Sequence, residues 1–230
     1  MLDRLVDFDD RLFRNIATCA PSQHLLDDLS NDPVDWAIGE QAAGQEQPQE
    51  LLPLLSRPFS DGVGIAPGGG TPTSRFSDGS QYGVWYGSLK PEITIYETVY
   101  HWQNNLLDDA GFNRPGVEIQ RRIYMVQCDS LLIDLRPEIK SYPEILHATD
   151  YSATQTIGRK LHREGHPGLI THSARVKHGD NYAIFTPKVL SNPAHTCYLT
   201  YRTTATGVEV ERTMGQVWMT ILASLPAEAM

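Results

Sequence analysis

Two blocks of this sequence hold most of the side chains that could do chemistry: SRFSDGSQYGVWYGSLKPEITIYETVYH at 74–101 and GRKLHREGHPGLITHSARVKHGDNYAIFTP at 158–187. The first offers Arg75, three aromatics in Tyr82, Trp85 and Tyr86, and the acid Glu97. The second offers Ser173 beside His172. Arg75 to Tyr86 and Tyr86 to Glu97 each span eleven positions. An arginine's planar fork of donors binds phosphate oxygens two at a time and stays charged at any accessible pH. A carboxylate stabilises positive charge that develops beside it, and a tyrosine ring gives a flat apolar face. Each group also has a plainer reading: Arg75 as a surface arginine paired with Asp78, Glu97 as a solvated helix acid, the aromatics as core. Ser173 and His172 do not read as a nucleophile and its base, because neighbours on a strand point to opposite faces.

Those groups need elements to hold them. YGVWYG at 82–87 has the composition of a short strand, and Pro91 with Glu92 suits the first turn of a helix running on from there. At 100° per residue, Ile93, Ile95, Tyr96, Val99, Tyr100 and Trp102 share one half of that helix, and Thr94, Glu97, Thr98, His101 and Asn104 the other. Glu97 falls at the apolar boundary, where it is either partly desolvated at a cleft rim or a surface acid. Further on, RRIYMVQ and SLLIDL read as two strands, and 150–164 as a helix stopped by Gly165. GLITHSAR and NYAIFTP read as strands joined by the turn-forming KHGD, and TCYLTYR with GVEVERT as a hairpin. Strands that follow one another directly predict an α+β fold rather than a doubly wound one.

Composition narrows the function classes. With 230 residues, 40% hydrophobic and 20% charged, the chain is long enough for a sizeable core and sits in the single-domain range. A net charge of −9 argues against a phosphate-tracking nucleic-acid surface. Cys19, Cys128 and Cys197 form no C-x-x-C pair, which suits a reducing cytoplasm. The acidic start MLDRLVDFDDRLFR is unlike a signal peptide, and VWMTILASL is far short of the roughly 20 residues a membrane-spanning helix needs. Nucleotide P-loop, zincin and nucleophile-elbow motifs are missing, and the scattered histidines suggest no metal. His162 and His166 read as decorating a helix end. The polar run EQAAGQEQPQE reads as a link, and Gly68–Gly70 as a flexible loop rather than a phosphate cradle.

Taken together, the two blocks closely resemble the RES domain, a family named for an Arg, a Glu and a Ser. Arg75, Glu97 and Ser173 match those residues, and Tyr86 matches the family's tyrosine by position. The run from Arg11 to Trp36 resembles the front half of longer members, so the likeness reaches nearly the whole chain. The resemblance implies an α+β fold similar to ADP-ribosyltransferase toxins, with mixed, mostly antiparallel sheets and flanking helices around a central NAD⁺ cleft. It also implies one domain over 1–230, with 1–60 as its N-terminal extension and 71–190 as the catalytic motif region.

By the same resemblance the substrate is NAD⁺, and an Xre-like antitoxin blocks the active site of what is a cytoplasmic toxin. Arg75 would take the pyrophosphate. Glu97, kept ionised by hydrogen bonds, would stabilise the oxocarbenium-like ribose left when nicotinamide departs. Tyr86 would face the nicotinamide or ribose, Ser173 would hydrogen-bond a ribose or phosphate oxygen, and His101, one turn after Glu97, would orient it. This arrangement requires Arg75 and Glu97 to converge on one pocket. ADP-ribose would pass to inorganic phosphate or water. The alternatives are transfer to a protein side chain, as in a mono-ADP-ribosyltransferase, or a non-catalytic module that only binds a nucleotide or a partner.

Overall fold

The computed structural model describes residues 2–18, 48–60, 73–107 and 114–223. Cys19, the Gln- and Glu-rich run up to residue 47 and Gly68–Gly70 lie outside the described residues, as does the Arg11–Trp36 run from residue 19 onward. In chain order the elements are β1 (Leu5–Ala17), α1 (Pro48–Ser60), β2 (Trp85–Gly87), α2 (Pro91–His101), β3 (Glu118–Asp134), α3 (Ser152–Arg163), β4 (Gly168–His172), β5 (Asp180–Ile184), β6 (Leu190–Thr203), β7 (Gly207–Thr213) and β8 (Gln216–Leu222). The architecture is α+β, with a mixed, mostly antiparallel sheet and few flanking helices. None of the described helices is long and apolar enough to cross a membrane. The chain divides into two compact units: Met1–Arg14, Gln47–Thr94 and Met125–Ala194 form the first, and Asn15–Glu46, Ile95–Tyr124 and His195–Met230 the second.

In the first unit the strand order is β2-β5-β4-β3. β4 runs parallel to β3, and β5 antiparallel to both β4 and β2. A parallel pair needs a long crossover, and the segment containing α3 supplies it. Ile133, Leu169, Ala183 and Tyr86 stand in register across four strands. Together with Phe76, Tyr82 and Leu161 they build one hydrophobic cluster. Two residues further along the same face the row turns polar: Thr171 pairs with Asn181, whose side chain bonds the Ser88 hydroxyl at 2.8 Å.

The predicted stop of α3 is present in full. Gly165 has φ of 80°, its N–H donates to His162 O, and the His166 N–H reaches back to Leu161 O. A left-handed glycine with these two bonds satisfies the last carbonyls of the helix. Gly158, inside α3, is required for a different reason. A Cβ there would lie 2.1 Å from the Phe76 carbonyl oxygen, so only glycine lets the helix approach that turn.

In the second unit β6, β7 and β8 form an antiparallel meander. Glu211, buried on β7, is satisfied by Arg202 at 2.9 Å and by the Gly215 N–H at 3.0 Å. The α2 helix runs on as a wider π turn over Trp102–Leu107.

The structure departs from the sequence reading in one element and adds two where that reading assigned none. RRIYMVQ and all but the last residue of SLLIDL belong to one strand of 17 residues, β3, because Cys128 and Asp129 between them include no Gly or Pro to break the ladder. The N-terminal run is a strand of 13 residues, β1, despite three aspartates of poor strand propensity. Its pairing with β3 overrides them. The apolar run near the end is β8, a third strand beyond the expected hairpin.

Candidate active site

Arg75 sits at the corner of a tight turn. Ser74 and Ser77 close that turn through their backbones, with N–H to O distances of 2.7 and 3.4 Å. The residues on either side of Arg75 are both held by one phenol: the Tyr86 hydroxyl accepts from the Phe76 N–H and donates to the Ser74 hydroxyl, each at 3.0 Å. Gln155 of α3 adds a bond to Ser74 O, and buried Phe76 anchors the turn in the core. Tyr86 therefore grips the turn with its polar end while its ring joins the hydrophobic cluster. Burial, opposed by those two hydrogen bonds and the Arg75 charge, pushes its phenol up to about 12, so it remains neutral.

The Arg75 guanidinium reaches a short segment that precedes α3. Its Nη1 donates to Ile145 O and His147 O, both at 2.9 Å, and its head lies 4.7 Å from the centre of the Tyr151 ring. Asp78, the acid considered as its surface partner, instead pairs with Arg159 at 2.9 Å.

Ser173 follows β4, where its N–H donates to Gly179 O at 2.7 Å. The buried Ser173 hydroxyl accepts from the N–H groups of Arg175 and Val176, each at 3.0 Å. It thus shapes the loop that carries Arg175, whose Nη2 donates to Ala148 O at 2.6 Å. Along the alternation of β4, Ser173 follows Leu169 and Thr171 on the face that Tyr86 shares. The Thr171 hydroxyl is buried and without a hydrogen-bond partner.

The other face of the strand ends holds a chain of polar and charged side chains. His172 Nδ1 lies 2.7 Å from Asp180, Asp180 binds Arg136 at 2.7 Å, and Arg136 grips Asp134 through Nε at 2.8 Å and Nη2 at 3.1 Å. Burial alone would raise the Asp134 carboxyl, but the Arg136 fork, helped by Arg4, holds it below its usual value. His172 and Ser173 therefore serve different faces, as strand alternation predicts.

Glu97 and His101 belong to the second unit. Glu97 is half-buried on α2, and exposed His101 sets its ring edge-on to Tyr100 at 5.6 Å. The expected polar half of α2 is not all solvated. Thr94 is buried and bonds Pro91 O, and Thr98, next to Glu97, meets the Tyr201 hydroxyl at 2.9 Å. Fully buried Tyr201 also accepts from the Asn15 amide at 2.7 Å, while Asn15 in turn takes the Arg121 guanidinium at 2.8 Å. Burial raises the Tyr201 phenol, which stays a neutral hydrogen-bonding group.

Of the three clustered aromatics, Tyr82 and Trp85 are core residues. Tyr82 stacks on His162 with ring centres 4.1 Å apart, which accounts for that histidine at the helix end. Among the described residues no group of three His, Cys, Asp or Glu side chains could hold a metal ion. Sequence reasoning missed Arg175, Gly158 and the Tyr201 cluster. For Arg175 a local signal existed, since a serine two residues ahead in a turn caps the following backbone N–H groups.

No curated protein matches the chain. Among solved structures, a chain in the crystal structure of the M. tuberculosis MbcT–MbcA toxin–antitoxin complex is similar, with a TM-score of 0.46 and 10% identity over 84% of this chain and 86% of that one. A family model described as the RES domain matches residues 43–204, a span that begins after the Arg11–Trp36 run. Since that match takes in Arg75, Tyr86, Glu97 and Ser173 and covers more than half of the sequence, the chain belongs to the RES domain family.

Proposed function

We propose that this protein cleaves the nicotinamide–ribose bond of NAD⁺ and passes ADP-ribose to inorganic phosphate or water, depleting the NAD⁺ of a cell in which it is free to act. The observation that carries this reading is the family match over 43–204, within which all four motif residues are present. The geometry of the first unit supports it, because the Arg75 turn is fixed from three sides before any ligand arrives, and preorganised cations bind phosphate without reorganisation. In this reading Arg75 takes the pyrophosphate, Tyr86 holds the Arg75 turn and walls the site, and Ser173 hydrogen-bonds the ribose or phosphate side.

The positively charged nicotinamide leaves with the electron pair of its bond to the ribose and becomes neutral. Glu97 stabilises the cationic sugar carbon that remains, with His101 orienting the carboxylate. A phosphate or water oxygen then donates the pair that closes the new bond, and an attacking water gives up a proton to solvent. An Xre-like antitoxin would silence the protein as a toxin is silenced, and the cytoplasm, where NAD⁺ is found, would be its place of action.

Incubation of purified protein with NAD⁺ and inorganic phosphate tests the reading. Free nicotinamide with ADP-ribose-1″-phosphate is the expected outcome, and free ADP-ribose would mark water as the acceptor. Labelled protein with little free product would shift the acceptor to a side chain. NAD⁺ left intact at every phosphate concentration would overturn the reading and leave a binding module.

A further inference from the structure

Arg75 and Arg175 are both held on the same four residues. Arg75 donates to the carbonyls of Ile145 and His147, and Arg175 to that of Ala148. His147 and Ala148 are successive residues, with Cα atoms about 3.8 Å apart, so the two guanidiniums are anchored one peptide unit from each other. Each arginine also stands on a backbone turn that a motif hydroxyl locks. The Tyr86 phenol bonds both neighbours of Arg75, and the Ser173 hydroxyl takes the N–H groups of Arg175 and Val176. The two hydroxyls act on different chain segments but do the same work.

We propose that Arg175 is a second phosphate-binding cation, which grips one phosphate of a nucleoside diphosphate moiety while Arg75 grips the other, with Ser173 as its positioning residue. The identification of the ligand rests on the NAD⁺ reading above. The chemistry favours a diphosphate over a single phosphate, because two guanidiniums anchored one peptide unit apart match two linked anionic groups. The carbonyls of Ile145, His147 and Ala148 are neutral acceptors that orient the guanidiniums. A second arginine also answers an electrostatic need: a chain of net charge −9 must gather local positive charge to hold a dianionic group.

The test measures binding, so it does not depend on turnover. Calorimetric titration with ADP, and separately with nicotinamide, compares wild type with Arg175→Gln and Arg175→Lys. The expected result is a roughly tenfold or greater loss of ADP affinity in Arg175→Gln, a smaller loss in Arg175→Lys, and nicotinamide affinity unchanged in both. Should Arg175→Gln fail to fold, Arg175→Lys carries the same ratio of ADP to nicotinamide binding, with thermal melting as the check on its fold. Equal ADP affinity in wild type and variants, or loss of both ligands together, would overturn the assignment. The outcomes also separate this inference from the reading it rests on. Wild type that binds ADP through Arg175 yet leaves NAD⁺ intact would remove the reaction alone, whereas wild type that cleaves NAD⁺ while Arg175→Gln binds ADP normally would remove only Arg175.

Discussion

The turn that carries Arg75 and the helix that carries Glu97 are stiffened by different means. Around Arg75 the fixed atoms are mostly backbone: Ser74 and Ser77 bond each other, the Phe76 N–H meets a phenol, and the Phe76 carbonyl lies against Gly158. Around Glu97 the helix already satisfies its own backbone, so what remains to be fixed is rotation about its axis. A side-chain cluster of half-buried Thr98 and Arg121 with buried Tyr201 and Asn15 is placed to do this. The difference teaches that a loop residue is held by satisfying its neighbours' backbone groups, and a helical residue by anchoring the next side chain. In the proposed reaction the turn would serve substrate binding and the helix bond cleavage.

The sharpest way to break that division is at its two named groups. Glu97→Gln removes the charge at nearly constant volume, and kcat should fall by roughly 10²–10³-fold with the melting temperature moved by no more than about 2 °C. Turnover that survives would take Glu97 out of the chemistry. Arg75→Lys keeps the charge but loses the fork, so KM for NAD⁺ should rise about tenfold with kcat little changed. A fall in kcat at constant KM would place Arg75 in the wrong half of the comparison.

Smaller effects probe the supports. Gly158→Ala drives a methyl group at the Phe76 carbonyl oxygen, which should cost about 1–3 kcal/mol in urea unfolding and raise KM by displacing the Arg75 turn. Tyr201→Phe strips the buried Asn15 amide of its acceptor at a cost of about 1–2 kcal/mol, and should lower kcat rather than raise KM. Parallel changes in both variants would mean the two regions are not separable.

The smallest expected effect is on acid stability. Asp134 is held below the usual carboxylate range by the Arg136 fork, so it stabilises the fold above the unfolded-state value, and the contribution is lost as pH falls through the lowered folded-state value. The stability gap between wild type and Asp134→Asn should therefore narrow on acidification. A gap that is constant with pH would show that Asp134 acts through shape alone.

Legibility from sequence was uneven, for reasons visible in particular residues. Pro91, Gly165 and the KHGD turn act within a few positions of themselves, and α2, the end of α3 and the β4–β5 pair follow them. β1 was hidden because its aspartates have the local signature of a loop, and only the partner strand β3 overrides them. The Tyr86 ring announced packing or a substrate face, while the role of its hydroxyl depends on where Ser74 and Phe76 are brought.

By itself the sequence determined the family, the residue types able to handle a phosphate and a cationic sugar, and the elements whose caps and turns lie within their own few residues. Only the tertiary structure decided what holds those residues. Arg75 finds Ile145 across 70 positions, and Asn15 finds Tyr201 across 186. Local periodicity is set by the nearest turn of the chain, whereas a buried donor must be met by whatever acceptor the completed fold brings within about 3 Å.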